Sequence, residues 1–199
     1  MRYTMKQGKD NYPVFILLHG TGGNELSLLE VGKDLHLDAT LIGIRGNVSE
    51  QGLPRFFKRL SEGVYDEVDL ELRAKELHTF IHSLLQDNHL TNQEVVLVGY
   101  SNGANIAIKL LLDYPKVYQR AVLFHPMYPV TVSSSHDLHQ TKVFATLGVQ
   151  DTIVPIAESK RVIELFQRFG ASMTLEWTLT HQLTYPEVEQ AKKWLNQVL

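Results

Sequence analysis

The chain is 199 residues long, 44% hydrophobic and 21% charged, with a formal net charge of −3 at pH 7 and no cysteine. This is the balance of one soluble globular domain covering residues 1–199. The missing cysteines exclude disulfides, cysteine zinc sites and a cysteine nucleophile, and the weak negative charge gives no electrostatic reason to bind nucleic acid or an anionic membrane.

Met1 to Asn11 is polar and has no apolar core of a secretory signal. No apolar run approaches the roughly 18 residues of a membrane span, so a cytoplasmic location is expected by default. Arg2 to Gln7 predicts a short edge strand. Val14 to Leu18 is a wholly apolar strand that ends in His19-Gly20-Thr21-Gly22-Gly23. A glycine-rich turn lets backbone N–H groups converge on one point, and Thr21 is the candidate donor there. A phosphate or dinucleotide loop is the rival reading. However, the turn lacks both the G-x-G-x-x-G spacing and the lysine of a P-loop. His19 reads as a hydrogen-bonding structural residue.

A helix is expected near 26–35 and a strand at 39–44. Arg45 to Gly63 then reads as irregular chain leaving the carboxyl end of a strand, beside any site. Phe56 and Phe57 are candidates to line an acyl or aromatic pocket, with packing of the loop onto the core as the alternative. Arg45, Arg55 and Arg59 either meet a substrate carboxylate or lie on solvated faces. Apolar residues at Val68, Leu72, Leu77, Phe80, Ile81 and Leu84 predict a helix over 66–86.

A strand at 94–98 runs into Gly99-Tyr100-Ser101-Asn102-Gly103, followed by a helix over 103–113. Strand, G-x-S-x-G turn and helix are what a nucleophile elbow requires. The serine must stand at the apex of a sharp turn, and a Cβ on either flanking glycine would collide with its surroundings. The helix that follows aims its partially positive end at the place where an oxyanion would form, with Asn102 N–H as a candidate donor. The alternative is a glycine-rich turn whose serine only caps the helix.

After a strand at 120–125, His125 to Gln140 is again irregular and reads as a small lid, with Met127 a candidate pocket residue. Its His136-x-x-His139 lacks a third metal ligand and reads as flexible loop. A strand at 142–147 leads to Asp151, and Pro155 suits the start of a helix over 156–169. A strand at 172–179 is followed two residues later by His181, and Pro186 opens a last helix over 186–198. Taken alone, Asp151 is equally a helix-capping turn residue and His181 a surface histidine. Together with Ser101 they stand in the order nucleophile, acid, histidine. Each lies past the carboxyl end of its own strand, where ligands bind in open α/β sheets. The alternation of strand and helix predicts a doubly wound, mainly parallel sheet with helices on both faces and little length for a cap domain.

The motifs H-G-T-G-G, G-Y-S-N-G-A, G-V-Q-D-T-I-V-P and H-Q-L-T resemble the small carboxylesterase/phospholipase group of α/β-hydrolases, which includes the acyl-protein thioesterases and bacterial carboxylesterases. The resemblance runs from about Pro13 to the C-terminal helix. Arg45-Gly46-Asn47 with Pro54-Arg55-Phe56-Phe57 is most similar to the bacterial branch. It implies the α/β-hydrolase fold, with a catalytic triad of Ser101, Asp151 and His181 and oxyanion amides at Thr21 and Asn102. It also implies hydrolysis of a small-molecule carboxylic ester without cofactor or metal, and the little length left for a cap points to an open site and short or medium acyl groups. An acyl thioesterase or amidase with the same triad, and a non-catalytic ligand-binding protein on the same scaffold, are the alternatives. A homodimer is left open. One departure stands out. The family has glycine before the catalytic histidine where this chain has Thr180, and a Cβ there puts the placement of the histidine loop in question.

Overall fold

The computed structural model describes residues 1–199. In chain order the elements are β1 (Arg2–Lys6), β2 (Val14–Leu18), α1 (Leu29–Leu35), β3 (Thr40–Arg45), β4 (Val48–Glu50), β5 (Leu53–Arg55), β6 (Arg59–Ser61), β7 (Val64–Tyr65) and α2 (Glu67–Asp87). They continue as β8 (Val95–Tyr100), α3 (Asn102–Asp113), β9 (Arg120–Phe124), β10 (Lys142–Gly148), α4 (Ile156–Arg168), β11 (Ser172–Thr178) and α5 (Tyr185–Val198).

Seven strands form one sheet in the order β1-β3-β2-β8-β9-β10-β11. Only β1 runs antiparallel; the other pairings are parallel. The central strands are apolar on both faces because both are covered. Val14, Ile16 and Leu18 of β2 join the layer containing Leu77 and Ile81 of α2, Ile106 and Leu110 of α3, and Val162 and Phe166 of α4. Phe15 and Leu17 join the opposite layer, with Leu35 of α1 and Val188, Trp194 and Leu195 of α5. The edge strand β11 is instead half-exposed along its length. The register pairs Leu18 with Gly99 and Gly99 with Leu123, so β2, β8 and β9 end level. The turns after them emerge together at one edge of the sheet.

Two stretches differ from the sequence expectation. Arg45 to Gly63 is not irregular but holds two antiparallel hairpins, β4–β5 and β6–β7. The first turns on Gln51 and Gly52, both at positive φ (52° and 84°), as a tight two-residue hairpin requires. Strands of three residues or fewer are too short to show alternation in sequence. The start of the supposed lid is also pinned down. Met127 N–H donates to Asn105 Oδ1 (2.8 Å), Tyr65 OH donates to Met127 O (2.9 Å), and Met127 and Tyr128 are buried.

Candidate functional site

Ser101 sits between β8 and α3 at φ 50°, ψ −116°, a strained backbone for a residue with a Cβ. Ser101 N–H donates to Phe124 O (2.9 Å), which locks the turn onto the neighbouring strand. The flanking glycines are needed for contact. A Cβ on Gly99 would lie 2.6 Å from Ala104 Cα, and one on Gly103 would lie 2.0 Å from Leu18 O. The serine side chain makes no capping hydrogen bond to α3. Its Oγ instead meets His181 Nε2 at 2.9 Å.

His181 Nδ1 lies 2.7 Å from Asp151 Oδ2. The other oxygen, Oδ1, accepts Ile153 N–H and Val154 N–H, both at 2.8 Å. The turn after β10 thus holds the carboxylate by its far oxygen and leaves the near one for the imidazole. The Asp151 side chain is 1% exposed and that of His181 12%. With Nδ1–H donated to Asp151, Nε2 is left to accept from the serine hydroxyl. Tyr100 OH donates to His181 O (3.0 Å) and fixes the histidine loop from behind. Burial, with Asp151 and Glu187 nearby, pushes the Tyr100 phenol above its ordinary range and keeps it a donor. The φ of Thr180 is not positive, so its backbone conformation does not call for glycine, and its Oγ1 accepts Gln182 N–H (3.3 Å).

In the turn after β2, Gly22 N–H donates to Pro54 O (2.9 Å) and Gly23 N–H to Gly20 O (3.0 Å), which leaves the Thr21 amide without an acceptor. Asn102 opens α3, so its N–H has no carbonyl one turn back to bond. His19 is fully buried and neutral. Its Nδ1–H donates to Gly20 O (2.6 Å) and its Nε2 accepts Gly46 N–H (3.0 Å). Burial pushes its pKa below the ordinary imidazole range.

The other sequence candidates lie deeper. Phe56 and Phe57 are 1% and 0% exposed. Phe56 packs against the His19 ring at 4.8 Å and Phe57 against Tyr65 at 4.7 Å, so both side chains belong to the core. Phe56 N–H donates to Asn102 Oδ1 (2.8 Å), which ties this loop to the residue after the serine. Arg45 is paired with Glu25 and Arg59 with Glu50, while Arg55 is buried. His136 and His139 diverge: His136 Nδ1 meets Leu112 O (2.9 Å), and His139 pairs with Asp137.

Sequence reading missed a second buried pair. His125 Nε2 lies 2.8 Å from Glu187 Oε2, and His125 Nδ1 lies 3.9 Å from Asp151 Oδ2. The only sequence signal was a glutamate three residues after Thr184, the spacing of a capping box, which α5 does form.

A family model described as Phospholipase/Carboxylesterase matches residues 3–199. "Putative hydrolase MhqD" of Bacillus subtilis is 43% identical over 201 residues, 100% of either chain. The solved Bacillus cereus carboxylesterase is 42% identical with a TM-score of 0.96, over 100% of this chain and 95% of that one. YahD, solved with malic acid, is 28% identical with a TM-score of 0.93, over 100% and 99%.

Proposed function

Because the chain belongs to the phospholipase/carboxylesterase family of α/β-hydrolases, we propose that it hydrolyses small carboxylic esters through Ser101, His181 and Asp151. The observation that carries this reading is the unbroken chain from Ser101 Oγ through His181 to Asp151, at 2.9 and 2.7 Å, at the carboxyl edge of the sheet. A serine that served only as a helix cap would spend its hydroxyl on the α3 amides, and this one does not.

In this mechanism His181 Nε2 takes the hydroxyl proton as Ser101 Oγ attacks the ester carbonyl. Asp151 holds the imidazole tautomer and stabilises the imidazolium. The tetrahedral oxyanion accepts hydrogen bonds from the Thr21 and Asn102 amides, each worth about 3–4 kcal/mol in comparable sites. The intermediate collapses with loss of the alcohol, which takes its proton from His181, and leaves an acyl-Ser101 ester. Water then gives a proton to His181 and attacks the acyl carbon. Return of that proton to Ser101 Oγ releases the carboxylic acid.

The test is a panel of p-nitrophenyl esters, acyl thioesters and anilides run beside Ser101→Ala. Ester turnover abolished in the variant supports the reading. Thioester turnover far above ester turnover would move the assignment to a thioesterase with the same machinery.

A further inference from the structure

Arg55 is a buried cation that the proposed mechanism leaves unused. It ends β5 with its side chain 5% exposed. Its Nη1 donates to Thr21 Oγ1 at 2.7 Å, and its Nε donates to Phe57 O at 3.3 Å. Its one carboxylate contact is Glu50 Oε2 at 3.3 Å. That carboxylate is already gripped by Arg59, Nη2 at 2.7 Å and Nε at 2.9 and 3.1 Å. Two guanidinium groups share the Glu50 carboxylate, so the buried Arg55 has only a shared counter-ion. Burial works against the Arg55 cation and lowers its pKa from the ordinary value. A half-paired buried cation is costly, and an apolar side chain would fill this place with less penalty.

The same strand grips the same turn in other ways. Pro54 O accepts Gly22 N–H (2.9 Å). Leu53 Cδ2 lies so close to Gly22 that a Cβ there would stand 3.3 Å from it. The residues on either side of Arg55 therefore also bear on this loop or on α3, Pro54 through Gly22 and Phe56 through Asn102 Oδ1. These contacts hold the side chains of Thr21 and Asn102 and the amide of Gly22, so they brace the two residues whose own amides are assigned above to the oxyanion.

We propose that Arg55 is a positioning residue of the oxyanion turn, held by the Thr21 hydroxyl so that its only partly compensated charge faces the oxyanion as it forms. This rests on the Ser101 reading above. The guanidinium attracts the tetrahedral intermediate more than the neutral ester, so it acts on kcat and leaves KM nearly unchanged.

The experiment measures kcat and KM on p-nitrophenyl acetate for Arg55→Met, Arg55→Gln, Arg55→Lys and Thr21→Val. It adds the affinity of a trifluoromethyl ketone, whose serine adduct is an oxyanion. The neutral variants are expected to lose about 10- to 100-fold in kcat with KM within about twofold, less than the loss of a direct oxyanion donor. Arg55→Lys, which keeps the charge, is expected to recover about tenfold of that loss. Thr21→Val, which cuts the tether but keeps the charge and the amide, is expected to lose less than Arg55→Met. Ketone affinity should fall in step with kcat. If Arg55→Met does not fold, Arg55→Gln against Arg55→Lys makes the same comparison. A neutral variant with kcat within about twofold of the parent would overturn the proposal. So would Arg55→Lys no faster than the neutral variants, or a loss confined to KM. Ser101→Ala in the same assay tests the underlying reading separately, because its hydrolysis does not depend on Arg55.

Discussion

His125 and Glu187 form a contact of 2.8 Å sealed from solvent, their side chains 0% and 2% exposed, and it joins the end of β9 to the first turn of α5. Glu187 does two things at once. Its Oε1 accepts the Thr184 N–H and hydroxyl at the start of α5 (3.1 and 2.7 Å), while its Oε2 faces His125. Thr184 lies three residues beyond His181, so the capping box that starts the helix also ends the histidine loop. His125 itself holds a left-handed backbone at φ 52°, with its N–H on Thr146 O (3.0 Å). Strain of this kind persists only where the surroundings over-determine it.

This pair makes stability depend on pH. Burial of Glu187 opposes its ionisation, but donors on His125, Thr184 and Thr146 outweigh burial and hold its pKa below the ordinary carboxylate value. A carboxyl group depressed on folding adds stability above its unfolded pKa, about 4.3, and that stability is lost as pH falls through the folded value. Glu187→Gln should therefore be less stable than the parent at pH 7, by about 1–3 kcal/mol, and the gap should close on acidification. Denaturant melts of both proteins from pH 7 to pH 3 check this. A gap that widens towards low pH contradicts it.

Ser101→Ala should lower kcat on p-nitrophenyl acetate by at least about 10³-fold and leave the fold intact. Apart from His181, the Ser101 hydroxyl has no hydrogen-bond partner, so its removal leaves no buried group unpaired. Near-parental turnover would remove Ser101 as nucleophile. A fluorophosphonate probe should label the parent protein and not the variant.

A histidine base imposes an acid limb on the rate. His181 must be neutral at Nε2 to take the Ser101 proton, so kcat/KM should fall on acidification below neutral pH. The limb requires only that protonation of His181 destroys the acceptor. A flat profile between pH 5 and pH 8 would speak against a histidine base.

The acid can be tested against its neighbours. Asp151→Asn should lower kcat on the order of 10⁴-fold, as in the best-studied triad, because the amide stabilises the wrong imidazole tautomer. Asp137 is 84% exposed and paired with His139, and Glu158 is paired with Arg161 on α4. Asp137→Asn and Glu158→Gln should each change the rate by less than about threefold. Kinetics on the three purified variants decide the assignment, and equal losses would show the acid misplaced.

Some of this architecture was legible without coordinates. The bounds of Val14 to Leu18 coincide with β2, and the other sheet strands fall within a residue or two of their expected places. Doubly covered strands must be apolar on both faces, and that leaves a local signature in the chain. The turns carrying Ser101, Asp151 and His181 were legible because glycine, proline and the strand ends are also local signals. The hairpins within 45–63 were not, since their strands are too short to carry a period. Nor did sequence decide that Phe56 and Phe57 face the core. Whether an aromatic lines a cleft or fills a layer depends on what covers it from other parts of the chain, here His19 and Tyr65.

The amino-acid sequence by itself determined the order of the strands and helices and the chemistry available at the strand ends, because both are encoded by neighbours along the chain. Only the tertiary structure decided that His181 Nε2 reaches the Ser101 hydroxyl with Asp151 behind it, that Arg55 bears on the Thr21 turn, and that the His125–Glu187 pair closes off the histidine loop. Those relations join residues tens of positions apart. They are set by the register of parallel strands, whose pairing depends on long-range packing that no local segment contains.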